Sequence, residues 1–78
     1  MYVVYTKNDC PNCAQAKNIL KAKNKEFREV SIEDDEEMKA RLAALGFRSI
    51  PQIFDEDKQE FIPNGHLGLM KMMREGKL

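Results

Sequence analysis

Between the apolar run Met1-Tyr2-Val3-Val4-Tyr5 and a helical pattern that opens at Pro11, the chain sets its only two cysteines one turn apart, as Cys10-Pro11-Asn12-Cys13. That order demands a strand that stops, a short polar loop through Lys7-Asn8-Asp9, and a helix whose first turn carries both thiols. Pro11 suits the first helical position, because its missing N–H is one that a helix start leaves unpaired anyway. The exposed N–H groups and partial positive charge of a helix start favour a thiolate. The spacing therefore predicts a nucleophilic Cys10 and a second thiol, Cys13, placed to displace whatever Cys10 captures.

A chain of 78 residues is expected to form one domain over residues 1–78, with a small core. Thirteen basic side chains balance thirteen acidic ones, which argues against a nucleic-acid arm or a membrane-surface helix and leaves proteins or small molecules as partners. There is no charged segment followed by a hydrophobic stretch and cleavage site, and no apolar run approaches spanning length. A soluble, cytoplasmic chain is the expectation. In that compartment disulfides are usually transient and catalytic. Closing so short a loop also removes only about 2 kcal/mol of unfolded-chain entropy, against roughly 4 to 5 for a long one. Chemistry is a better reason for the pair than stapling.

Along the chain, Tyr2 to Thr6 is apolar at consecutive positions and reads as a central strand buried on both faces. Ala16, Ile19 and Leu20 recur at helical spacing to about Lys23. Glu26 to Ile32 reads as a second strand. Ser31 with Asp34 resembles a capping box, so the acids Glu33 to Glu37 are expected to open a second helix, with Met38, Leu42 and Leu45 as its buried stripe and Gly46 as its stop. Ile50 to Phe54 predicts a third strand, Asp55 to Lys58 a hairpin turn, and Gln59 to Ile62 a fourth strand at an edge. After Asn64-Gly65 a last helix shares His66, Leu69, Met70 and Met73 on one face and ends at Gly76. The order is βαβαββα, an α/β chain with a four-stranded mixed sheet flanked by helices.

A CxxC beside a βαβ pattern reads as a thioredoxin-like redox motif. The competing reading is half a zinc site, but a structural zinc wants four ligands and the chain offers two cysteines and a distant histidine. Ile50-Pro51 is the second signal. Proline at a strand start leaves backbone without a ladder donor, so another group must approach there. A cis bond would turn the Ile50 N–H and C=O toward a docked substrate.

Tyr5-Thr6-Lys7 ahead of Cys10-Pro11-Asn12-Cys13, then Gly46-Phe47-Arg48-Ser49-Ile50-Pro51-Gln52-Ile53-Phe54, then a glycine before the last helix, together resemble a glutaredoxin over essentially the whole chain. Tyr5 through Cys10 and Leu45 through Pro51 also resemble the glutaredoxin-like redoxins that serve ribonucleotide reductase and take electrons from thioredoxin reductase. The resemblance implies a thioredoxin-like fold and a monomeric thiol–disulfide oxidoreductase. It would reduce protein disulfides or glutathione mixed disulfides, with no cofactor and with glutathione as co-substrate.

By the same resemblance Cys10 is the nucleophile, Cys13 the resolving thiol and Pro51 the cis-proline. Pro11 and Asn12 lie in the substrate-facing turn, and Ile50 pairs with the cysteinyl unit of glutathione. Lys7 and Arg48 stand near its glycine carboxylate, while the N–H groups of Gly65, His66 and Leu67 face its γ-glutamyl end. The chain departs from the family pattern at that end. Leu67 and Gly68 occupy the place of a usual acidic pair, so an acid at either position is expected to improve glutathione use. Asn12 replaces a usual tyrosine, and Asp9 sets a carboxylate beside the nucleophile. His66 as a general acid, a cluster-carrying chain bridged through Cys10, and a pure interaction module are the remaining alternatives.

Overall fold

The computed structural model describes all 78 residues. Its order is β1 (Tyr2–Thr6), α1 (Pro11–Ala22), β2 (Phe27–Ser31), α2 (Glu36–Ala44), β3 (Gln52–Asp55), β4 (Glu60–Phe61) and α3 (Gly65–Arg74). The four strands form one mixed sheet in the order β2-β1-β3-β4. β1 runs parallel to β2 and antiparallel to β3, and β3 pairs antiparallel with β4 at the edge.

β1 is central, which explains its unbroken apolar run: alternate side chains serve different cores. Val4 joins Ala16, Ile19, Leu20, Ile53, Ile62 and Leu69 beneath α1 and α3, with Met70, Met72 and Met73 packed against that group. Val3 and Tyr5 point the other way, to Ile32 and Leu42 under α2. Phe61 closes this second face, with its ring centroid 4.7 Å from Phe47 and 4.9 Å from Phe54. Such tilted aromatic contacts add to the area they bury.

The elements follow the expected order, and the departures have local causes. Ser31 caps nothing: it ends β2, and its Oγ is buried without a partner. Asp35 is the capping residue, its carboxylate accepting from the Met38 N–H at 2.9 Å, so α2 begins at Glu36 rather than among Glu33 to Asp35. Leu45 lies past the helix end and is 58% exposed, not part of the buried stripe. β3 starts at Gln52, after Pro51, and extends to Asp55. The Asp55 carboxylate then accepts from the N–H groups of Asp57 and Lys58 at 3.0 and 3.3 Å, organising the turn to β4.

Candidate active site

β1 delivers the chain to the loop 7–9, and α1 takes it up at Cys10. Cys10 is the N-cap of α1 in extended conformation, with Pro11 at the first helical position. Its Sγ accepts from the Cys13 N–H at 3.1 Å, and its carbonyl accepts from the same N–H at 3.1 Å and from Ala14 at 3.3 Å. The sulfur therefore sits where a helix start concentrates unpaired N–H groups and positive potential. Cys10 and Cys13 are joined as a disulfide, with Cα atoms 5.2 Å apart. Their surroundings differ: Cys10 is half-buried while Cys13 is 3% exposed against the core side of α1.

The second wall comes from the stretch between α2 and β3. Gly46, at φ +88°, ends α2 with its N–H on the Ala43 carbonyl, and the Phe47 N–H reaches the Leu42 carbonyl at 3.1 Å. This left-handed close turns the chain sharply toward the cysteines. The Ile50–Pro51 peptide bond is cis, and the Ile50 carbonyl oxygen lies 3.9 Å from Cys10 Sγ. In the disulfide that sulfur has no proton to donate; a reduced Cys10 thiol would have one. Arg48 and Ile50 border a shallow hollow of about 190 Å³ on the α2 side.

The start of α3 forms the third wall. Gly65, at φ +53°, is buried, and a Cβ there would collide with the Pro51 carbonyl oxygen. Only glycine lets α3 approach Pro51 this closely. Gly68 is equally confined, because a Cβ would run into the Pro63 carbonyl oxygen and stand 3.1 Å from Ile62 Cγ2. The expectation that an acid could be placed at Gly68 is overturned by this contact. The Leu67 N–H is also committed, donating to the Asn64 carbonyl at 3.1 Å, so Gly65 and His66 supply the free N–H groups at this helix end. Leu67 itself is 59% exposed.

Of the residues singled out from sequence, the structure brings Cys10, Cys13 and Ile50 into direct proximity and packs Pro51 against Gly65. Lys7, Pro11, Asn12 and Arg48 lie exposed around them, and neither Lys7 nor Arg48 enters an ion pair. Sequence reasoning missed two networks beside the site. Thr6, at the end of β1, donates to Glu29 at 2.9 Å. Lys17 of α1 bonds the same carboxylate at 3.1 and 3.2 Å. The Thr6 hydroxyl, then Lys17, hold the Glu29 carboxyl below its ordinary range. In the other network Asn8 donates to Glu33 from across the sheet end. Thr6 and Glu29 stand 23 positions apart, Asn8 and Glu33 25, and Lys17 and Glu29 12, all beyond the reach of any local pattern.

The glutaredoxin family model matches residues 2–60, which is most of the chain. The chain belongs to the glutaredoxin family. That family is one of thiol–disulfide oxidoreductases, and its cysteine pair is the one described above. A probable glutaredoxin of Synechocystis is 44% identical over 57 residues, covering 70% of this chain and 65% of that relative. The solution structure of a glutaredoxin from Brucella melitensis superposes with a TM-score of 0.81 at 32% identity, over 97% of this chain and 80% of that one. The glutaredoxin-like NrdH-redoxin of Escherichia coli, a protein with a thioredoxin-like activity profile, superposes with a TM-score of 0.69 at 28% identity over 72% of this chain and 74% of that one. The glutaredoxin match and the thioredoxin-like fold thus agree with the resemblance carried by the motifs. No helix is long and apolar enough to cross a membrane, and nowhere do three or more His, Cys, Asp or Glu side chains converge as metal ligands.

Proposed function

We propose that this chain is a dithiol reductant of protein disulfides or glutathione mixed disulfides, acting as a monomer in the cytoplasm without a metal or organic cofactor. The observation that carries the reading is the unequal exposure of two thiols at one helix start, with the more accessible sulfur 3.9 Å from the Ile50 carbonyl. The Cys10 thiolate attacks one sulfur of the target disulfide and expels the other as a thiolate. Cys13, having lost its proton, then attacks Cys10, releases the second target thiolate and closes the Cys10–Cys13 disulfide. Two electrons have moved from the dithiol to the target. A target chain pairs with the Ile50 backbone beside Pro51, and Pro11 and Asn12 border its approach.

Regeneration needs two electrons from a donor thiol pair, supplied by two glutathione molecules or by a thioredoxin reductase. The site offers Lys7 and Arg48 as cations for a glycine carboxylate, and the N–H groups of Gly65 and His66 for the γ-glutamyl carboxylate. It offers no acid for the γ-glutamyl ammonium, since Leu67 stands there. That gap favours the second reading, in which a reductase is the donor and ribonucleotide reductase is a candidate target.

Variants of each thiol test the assignment. Cys10→Ser abolishes all exchange; Cys13→Ser keeps one-thiol deglutathionylation and accumulates mixed disulfides with protein targets. A limiting alkylating agent that labelled Cys13 first in the reduced protein would reverse the roles. Re-reduction of the oxidised protein, followed separately with glutathione and with thioredoxin reductase, decides between the donors.

A further inference from the structure

Asn8 lies in the loop joining β1 to α1, two residues before Cys10. Its main-chain N–H donates to Glu33 Oε1 at 3.0 Å and its Nδ2 donates to Glu33 Oε2 at 2.6 Å. One carboxylate thus grips the loop through two donors, a fork that fixes orientation as well as distance. The sheet explains why the two meet. β1 and β2 run parallel with Thr6 opposite Ser31, and the Ile32 N–H still reaches the Thr6 carbonyl at 2.9 Å beyond the ladder. Asn8 is two residues past Thr6, and Glu33 is two past Ser31. The contact continues the register of the paired strands with side chains after the backbone ladder ends.

Glu33 is available for this because Asp35, not Ser31, caps α2, so Glu33 stays outside the helix. It has no cationic partner that would compete for its oxygens. The loop it grips carries Lys7 and Asp9, the two charges nearest Cys10 in sequence. Asp9 sits at φ 52°, a left-handed conformation that a non-glycine residue keeps only where its neighbours hold it. Asn8 is the fixed point on one side and α1 on the other.

We propose that Glu33 is a positioning residue for the thiol site, latching the 7–9 loop so that Cys10 keeps its place at the helix start. This rests on the reading of Cys10 as nucleophile. Two substitutions separate position from charge. Glu33→Ala removes the grip. Glu33→Gln removes the charge but keeps an oxygen for the Asn8 N–H and, with the Asn8 amide turned over, a donor for its side-chain oxygen. Two readouts apply to each: hydrogen exchange of the Asn8 amide, and the pH profile of Cys10 alkylation in the reduced protein.

Glu33→Ala raises Asn8 exchange at least tenfold and slows Cys10 alkylation at neutral pH at least threefold, moving its profile to higher pH. Glu33→Gln restores both to within twofold of the parent. The proposal is overturned if Glu33→Ala leaves Asn8 exchange unchanged, if exchange rises while alkylation does not respond, or if alkylation speeds up in both variants, which would assign the effect to the lost negative charge. Should Cys13 react first in the parent protein, the nucleophile assignment and the coupling fall together, and Asn8 exchange still reports whether the latch exists.

Discussion

Leu67 is exposed at the first turn of α3, so Leu67→Asp adds a carboxylate without disturbing packing. One charged hydrogen bond contributes about 1.5 to 3 kcal/mol, roughly one to two decades of affinity at most for an exposed site. We expect Leu67→Asp to lower the KM for glutathione in a coupled turnover assay; an unchanged KM would mean that the γ-glutamyl end does not dock at α3. Gly68→Asp instead lowers stability, because its Cβ meets the Pro63 carbonyl oxygen.

Glu29 adds a pH signature. Its carboxyl is held below the ordinary glutamate range by Thr6 and then Lys17. A depressed folded pKa contributes stability above the unfolded value, and that contribution is lost as pH falls through the folded one. Thr6→Val therefore destabilises the protein at neutral pH, and its stability converges on the parent's in acid, as urea melts across pH would show. A gap that stayed constant would place the effect in packing. At this scale the sequence displayed Cys10, Cys13 and Pro51, whose chemistry is local. It concealed Glu29, Glu33 and the crowding of Gly68, which depend on what the fold brings alongside.

Elements were legible wherever their signals were periodic. Cys13, Ala16, Ile19 and Leu20 form a stripe at helical spacing, and all four are buried. Starts and ends were harder. Five acids in a row gave several equivalent candidates for the opening of α2, and only the Asp35 carboxylate reaching Met38 N–H chose among them. The end of α2 was clear because Gly46 supplies a left-handed residue. A Cβ at Gly46 would touch nothing, so Gly46→Ala isolates the backbone cost, about 1 to 2 kcal/mol. Gly46→Asn costs less, since asparagine tolerates that conformation better. Equal stability of parent and alanine variant in chemical denaturation would mean that this turn is not held left-handed in solution. The same turn leads into the stretch that sets the Ile50 carbonyl 3.9 Å from Cys10 Sγ, so the alanine variant should also weaken target docking.

At the scale of the molecule, the family match ends at residue 60, while both core and site depend on α3, which lies beyond it. α3 brings Leu69 into the core shared by Val4, Ala16, Leu20 and Ile53, and packs Met70, Met72 and Met73 against it. Its first residue, Gly65, lies on the Pro51 carbonyl. Core and site thus share one helix. A chain of this length has about 4 to 12 kcal/mol of stability in total. Replacing a fully buried leucine by alanine costs about 2 to 5 kcal/mol. Leu69→Ala should therefore consume a large part of the margin and lower the urea midpoint substantially, while a chain cut after Ile62 should fail to show a cooperative transition. Both variants keep Cys10, Cys13 and the matched segment, so their thiol exchange separates two roles for α3. If the truncated chain melts cooperatively and reduces disulfides at the parental rate, α3 is dispensable to core and site alike. Loss of folding together with loss of exchange is the outcome that the shared packing of Leu69 and Gly65 requires.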